Sequence, residues 1–244
     1  MEIRGERECS DCGTRWSYYD TGAVECPDCG SMRSVGVDED RALHTTTPAE
    51  FDLTEARTAW DEVPEDEAVD LVKRVCREFV RGNGFVHAGD LVAFDGRRLA
   101  ARELANAVDV VGRTRSFENP EDVEYYVLSL LRGADAGERP PAADVPPVMR
   151  EARGLATADL VERYRRDVRD WLEATDRTPV PAVNDVLTGL ESHQKRVQAL
   201  QGDVDPQEAD ALYAAARGLN AYLRDGDENA VVEAADRLRS LADT

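Results

Sequence analysis

Lysine is almost missing from this 244-residue chain: two residues, Lys73 and Lys195, stand beside 28 arginines, 27 aspartates and 23 glutamates, for a formal net charge of -20. Dense carboxylates hold water at a surface, and arginine keeps its charge on a weakly hydrated, forked head. The balance resembles that of an extreme halophile's protein working in molar salt, a haloarchaeal-type composition; the alternative is an acidic partner-binding surface. The acidity speaks against a polyanion binder at low salt, but at ~1 M salt the Debye length is only ~3 Å, so net charge alone excludes little. No run of apolar residues approaches the ~18 that a membrane span requires, and Met1 to Glu8 is charged with no apolar stretch behind it. The expectation is a cytoplasmic chain without a membrane partner. Also missing are a Walker loop, a Gly-x-Ser-x-Gly elbow and a zincin motif. Gly82-x-Gly84 lacks the third glycine of a dinucleotide fingerprint and reads as a turn ending a helix. With no catalytic constellation in view, the chain is expected not to be an enzyme, and no small-molecule substrate is identified.

What is present divides the chain in four. Residues 1–47 carry four of the five cysteines and little apolar content, so they need a staple. Residues 48–132 turn helical: Ala68, Leu71, Val72, Val75 and Phe79 share a face, and Asn119-Pro120-Glu121-Asp122 is a helix start. Leu91 to Phe94 followed by Asp95-Gly96 suggests a short strand and turn, and Leu99, Ala107, Val108 and Val111 suggest another helix. Residues 133–147 hold two glycines and four prolines and read as an interdomain linker. Residues 148–244 hold four helical segments, about 155–175, 180–201, 206–224 and 228–242, with short breaks that imply an antiparallel bundle. Val183, Val186, Leu190, His193, Val197 and Leu200 form a heptad-like seam. Asp205-Pro206-Gln207-Glu208 predicts a cap, a first-turn proline and a capping-box acid. The fold class is mainly α: a small β module, a helical middle region and a C-terminal bundle.

The chemistry lies in Cys9-x-x-Cys12-Gly13 and Cys26-Pro27-x-Cys29-Gly30, two knuckles thirteen residues apart. A C-x-x-C turn brings two thiolates to one side of a tight loop. The glycine lets the backbone fold so that amides face sulfur, and two such turns supply a tetrahedral S4 site. Trp16, Tyr18, Tyr19 and the turn Asp20-Thr21-Gly22 suit a hairpin carrying the second knuckle, with Met32 to Val37 as a third strand. One Zn2+ per chain fits best; ligand softness alone leaves Fe open.

At these residues, about 7 to 37, the sequence resembles the zinc ribbon of transcription factor IIB type found at the N-termini of many archaeal proteins. That resemblance implies a metal, a ribbon fold and contact with RNA polymerase or other macromolecules. The paired cyclin-like domains of an initiation factor are not seen downstream. The Cys-Pro-x-Cys-Gly knuckle is also similar to rubredoxin-like modules, which hold iron and carry electrons. Rubrerythrin-like proteins join such a module to a bundle with Glu-x-x-His ligands, and this sequence has no Glu-x-x-His.

The leading expectation is a zinc-binding interaction or regulatory adaptor, linked to transcription or other nucleic-acid machinery; the alternative is a rubredoxin-like iron carrier. Trp16 and Tyr18 are the candidate contact surface for a protein or nucleic-acid partner. Nucleic acid is a second partner class, for which Arg97, Arg98 and Arg102 are candidates: residues 81–117 hold six arginines, with Arg81, Arg113 and Arg115, against four acids. Cys76 and His193 are read as packing residues, and His44 and His87 are not placed as ligands.

Overall fold

The computed structural model describes residues 1–47, 49–114 and 116–242. The N-terminal module begins with β1 (Glu2–Ile3), β2 (Glu6–Cys9) and β3 (Arg15–Ser17), followed by a single helical turn α1 (Tyr18–Thr21), then β4 (Ser34–Gly36) and β5 (Ala42–Leu43). β2 lies between β3 and β4 in an antiparallel sheet, with Arg7 opposite Trp16 on one side and Gly36 on the other. Tyr18 to Thr21 is thus helical rather than the second arm of a hairpin. The Ser17 hydroxyl accepts from the Asp20 amide, and Gly22 at φ 65 ends the turn. β1 pairs with β5, so the ends of the module close on each other.

The middle region carries α2 (Thr54–Glu62), α3 (Glu65–Gly82), a hairpin of β6 (Val86–His87) and β7 (Asp90–Leu91), α4 (Gly96–Arg113) and α5 (Pro120–Gly133). Acids Glu65, Asp66 and Glu67 open α3 and Arg81 closes it, matching the helix dipole. Its buried stripe is Ala68, Val69, Val72, Cys76 and Phe79. The face is turned toward Cys76, leaving Leu71 and Val75 half-buried. Asp95-Gly96 is a helix start and not a turn: the Asp95 side chain accepts from the Arg97 amide at 2.9 Å. Asn119 holds the cap position of α5 without a side-chain cap bond, so Pro120 in the first turn sets that boundary.

The bundle is α6 (Arg150–Ala174), α7 (Pro181–Ala199), α8 (Pro206–Asp225) and α9 (Glu228–Ala242). Asp205 caps α8 by accepting from Gln207, but Glu208 does not close a capping box; it pairs with Arg196 of α7. The α7 seam ends at Val197, with Leu200 exposed. Gly154 and Gly202 let α6 press on the turn after α7, for a Cβ on Gly154 would stand 2.1 Å from the Gly202 carbonyl oxygen.

Residues 133–147, expected as a linker, are packed chain. They form 3-10 turns at Ala134–Ala136 and Ala142–Asp144, bury Ala134 and Val145, and send Arg139 to Glu103 and Asp210. Proline and glycine here shape tight turns rather than a flexible spacer. Nor do the apolar cores follow the sequence blocks. One gathers α2 to α5 with Met149 and Ala152. The other gathers the bundle with Leu43, Phe85, Val86, Leu91 and Leu99. Helix α6 belongs to both, so the middle region and the bundle are joined through shared core.

Candidate metal centre

The two knuckles are built alike. In each, the amide two residues beyond the second cysteine's predecessor folds back: Gly13 N donates to the Cys9 carbonyl at 3.0 Å, and Gly30 N to the Cys26 carbonyl at 3.0 Å. Cys9 N then donates to Thr14 O, and Cys26 N to Ser31 O, each at 2.9 Å. Gly13 at φ 77 and Gly30 at φ 69 adopt the left-handed conformation that a side chain disfavours. The Asp11 amide reaches Cys9 Sγ at 3.4 Å. β2 delivers the first knuckle and the chain ahead of β4 the second, with Ser10 N bonded to Arg33 O at 2.8 Å.

All four Sγ atoms lie within 4.8 Å of one another. Cys9 to Cys29 and Cys12 to Cys26 are each 3.6 Å apart. A disulfide needs about 2.05 Å, whereas a tetrahedron of Zn–S bonds of about 2.3 Å has edges of about 3.8 Å. The set therefore suits a metal ion such as zinc. Cys9 and Cys26 are buried and Cys12 and Cys29 exposed. The thiols are unlike: Thr14, by its hydroxyl and then its amide, draws Cys12 down to about 6. At Cys29 the downward pull of the Ser31 amide is outweighed by neighbouring sulfur, Cys12 foremost, and the thiol stands at about 12. A second thiolate at contact distance from the first is resisted, and a divalent cation among them removes that conflict.

The other residues singled out from the sequence are placed differently. Trp16 is 7% exposed, packs with Cys9 and Cys26, and donates its indole N–H to the Ala23 carbonyl at 2.9 Å. It is the core of the ribbon and not a contact surface. Tyr18 is half-buried with its ring edge-on to His44 at 6.1 Å, so it faces the chain that leaves the ribbon. The arginines do not make a basic patch. Arg98 and Arg102 are 5% and 9% exposed. Arg98 lies 4.9 Å over the Phe85 ring and donates to Ala93 O; Arg102 donates to Arg98 O. Burial pulls both down to about 10, which leaves them charged at neutral pH. Arg97 is paired with its neighbour Asp95, and Arg115 lies outside the described residues. Cys76 is buried, and burial pushes its thiol up to about 12, so it is a packing residue. His193 is buried in its seam with Nε2 at 3.0 Å from Leu238 O.

A family described as "Family of unknown function (DUF7117)" matches residues 1–238. The chain belongs to this family. No curated protein and no solved structure matches it. The match runs through the four cysteines and the helical body alike, and in this DUF7117 chain the ribbon sits on the body through groups that sequence spacing did not reveal. His44 and His87, 43 positions apart in number, bring their rings to 5.2 Å, with Tyr19 at 4.9 Å from His44. His87 Nε2 meets Tyr19 O at 3.1 Å, and Tyr19 donates its hydroxyl to Ile3 O at 2.8 Å. Below them Asp167 of α6 accepts from the Thr45 hydroxyl and the Phe85 amide, each at 2.8 Å. A tyrosine in the single turn of α1, a histidine just after β5 and another at the end of β6 share no period, so only the packed chain shows them together. No helix among the described residues is long and apolar enough to cross a membrane.

Proposed function

We propose that this protein is a non-enzymatic adaptor whose ribbon holds one structural zinc ion and presents a small surface to a protein partner. The observation that carries this reading is the closed set of four sulfurs. Four thiolates saturate a tetrahedral ion and leave no position for water or substrate, which is the pattern of structural sites and not of catalytic ones. The ion would supply folding energy to a module whose own core is Cys9, Trp16 and Cys26. With Trp16 inside, the contact surface moves to the exposed Val24, Met32 and Val35. The Ser34 hydroxyl donates to the Val24 carbonyl at 2.7 Å and ties the chain at Val24 to β4, which carries Val35. Anchored through Tyr19, His44 and His87, such a ribbon holds a fixed orientation on the body.

The rubredoxin-like reading draws support from the exposure of Cys12 and Cys29, which would let electrons reach an iron. Elemental analysis with a visible spectrum, on protein purified in molar KCl without added metal, separates the two. One zinc per chain without colour is expected, and a coloured iron site that bleaches reversibly would overturn the adaptor. Cys26→Ser is expected to release the ion and lose the ribbon's sheet while far-ultraviolet helicity largely persists.

A further inference from the structure

A cleft of about 430 Å³ opens between the turn at 137–141 and α8, with Phe94, Arg139, Pro140, Asp210, Tyr213 and Arg217 on its walls. We infer that it is a binding site for a small organic oxyanion, a carboxylate or phosphate monoester carrying a flat apolar group. Its volume falls within the ~300–1,000 Å³ of ligand sites.

Behind the cleft lies a buried group of charged side chains. Glu103 is 0% exposed and accepts from the Tyr126 hydroxyl, from Arg139 Nη1 at 2.5 Å and from Arg153 Nη1 at 3.3 Å. Asp210 takes the Arg153 fork, with Nη2 at 2.9 and 2.8 Å from its two oxygens, and Arg139 Nη2 at 3.0 Å. Two arginines are thus balanced by two carboxylates, and Asp210 is engaged rather than free to repel an anion. Packed ion groups of this kind seldom add stability over an apolar core, so their presence at a cleft calls for another reason. They hold Arg139 in place over the Tyr213 ring, so that this wall of the cleft is ordered before a ligand arrives.

Arg217 breaks the balance. It is exposed, and among the described residues no carboxylate pairs with it. Its Cζ stands 5.9 Å from the centre of the Tyr213 ring, and Arg139 Cζ stands 5.6 Å from the same centre, so the two guanidiniums flank one aromatic wall. Phe94 meets Tyr213 edge-on at 5.4 Å. Gly96 and Gly137 complete the floor with bare backbone, for a Cβ on Gly96 would stand 2.7 Å from the Gly137 carbonyl oxygen. An oxyanion at Arg217 and a ring against Tyr213 use both features.

Phenyl phosphate and benzoate, titrated into the full chain in molar KCl and followed by ligand-observed NMR, test this. One of the two is expected to bind saturably at one site, and the stronger names the oxyanion. Arg217→Ala is expected to weaken it about tenfold with no change in melting temperature, while Arg217→Lys retains part of the affinity. Absence of saturable binding for both probes, or equal affinity in Arg217→Ala, would overturn the site. Inorganic phosphate binding as tightly as phenyl phosphate would overturn the role given to the aromatic wall.

Discussion

Trp16 sits between the two knuckles in sequence, where an exposed indole would serve as an anchor for a partner. Packed on Cys9 and Cys26 with its N–H bonded to Ala23 O, it instead fills the space that four cysteines and short strands leave open. Removing a buried tryptophan costs about 3–5 kcal/mol, a large loss for so small a core. Trp16→Ala is therefore expected to release the bound metal to a chelator far faster than the parent. Met32→Ala, at an exposed side chain, is expected to leave the release rate unchanged. Equal rates for Trp16→Ala and the parent would mean that the knuckles hold without the indole.

The junction between ribbon and body depends on a short hairpin. β6 and β7 are joined through Ala88 at φ 49 and Gly89 at φ 90, and a left-handed alanine is strained. The Ala88 amide donates to His44 Nδ1 at 3.2 Å, and the Trp171 indole donates to Gly89 O at 2.9 Å, which holds the turn on α6. His44 must be neutral to accept that bond. Its other nitrogen, Nε2, is buried without a partner. Burial first, then His87 and the terminal amine, lower its pKa from 6.5 to about 4. The unfolded chain therefore takes up a proton before the folded one does. The contribution of His44 is whole above pH 6.5 and falls as pH drops from 6.5 toward 4. Melting temperature is expected to decline across that window more steeply in the parent than in His44→Gln. Parallel curves would locate the acid sensitivity elsewhere, in the thiolates for instance.

Across the whole molecule, Glu103 ties together parts that are far apart in sequence. It lies on α4, bonds Tyr126 on α5, Arg139 in the 133–147 segment and Arg153 on α6, and through the arginines reaches Asp210 on α8. Burial, then the charge of Glu103, raises the Tyr126 hydroxyl well above its usual range, so it stays a donor. Taking away one member of a buried ion group leaves the others charged without partners, which costs about 3–5 kcal/mol. Glu103→Ala is expected to lower stability by that amount in denaturant unfolding measured in molar KCl, with the middle region and bundle still unfolding as one transition. A change below about 1 kcal/mol would assign the joining of these regions to the shared apolar core alone.

The sequence by itself determined the four cysteines that come together, the mainly helical class and the approximate limits of the four bundle helices. Those features are local: Cys-x-x-Cys-Gly turns, three-and-four spacing of apolar residues, Pro206 behind Asp205. Even the α3 stripe was legible to within a small rotation that brings Cys76 to its centre. Tertiary structure alone decided what the polar residues do. Arg98 and Arg102 look like a surface patch because charge is expected outside, yet long side chains can bury their stems against Phe85 and their own helix carbonyls. Residues 133–147 look like a spacer because proline and glycine serve both flexible links and tight turns, and only the pairing of Arg139 with Glu103 and Asp210 distinguishes them. His44 with His87, and Glu103 with Arg153, meet across gaps that no periodicity spans, because contacts between elements depend on how whole helices pack and not on spacing within one.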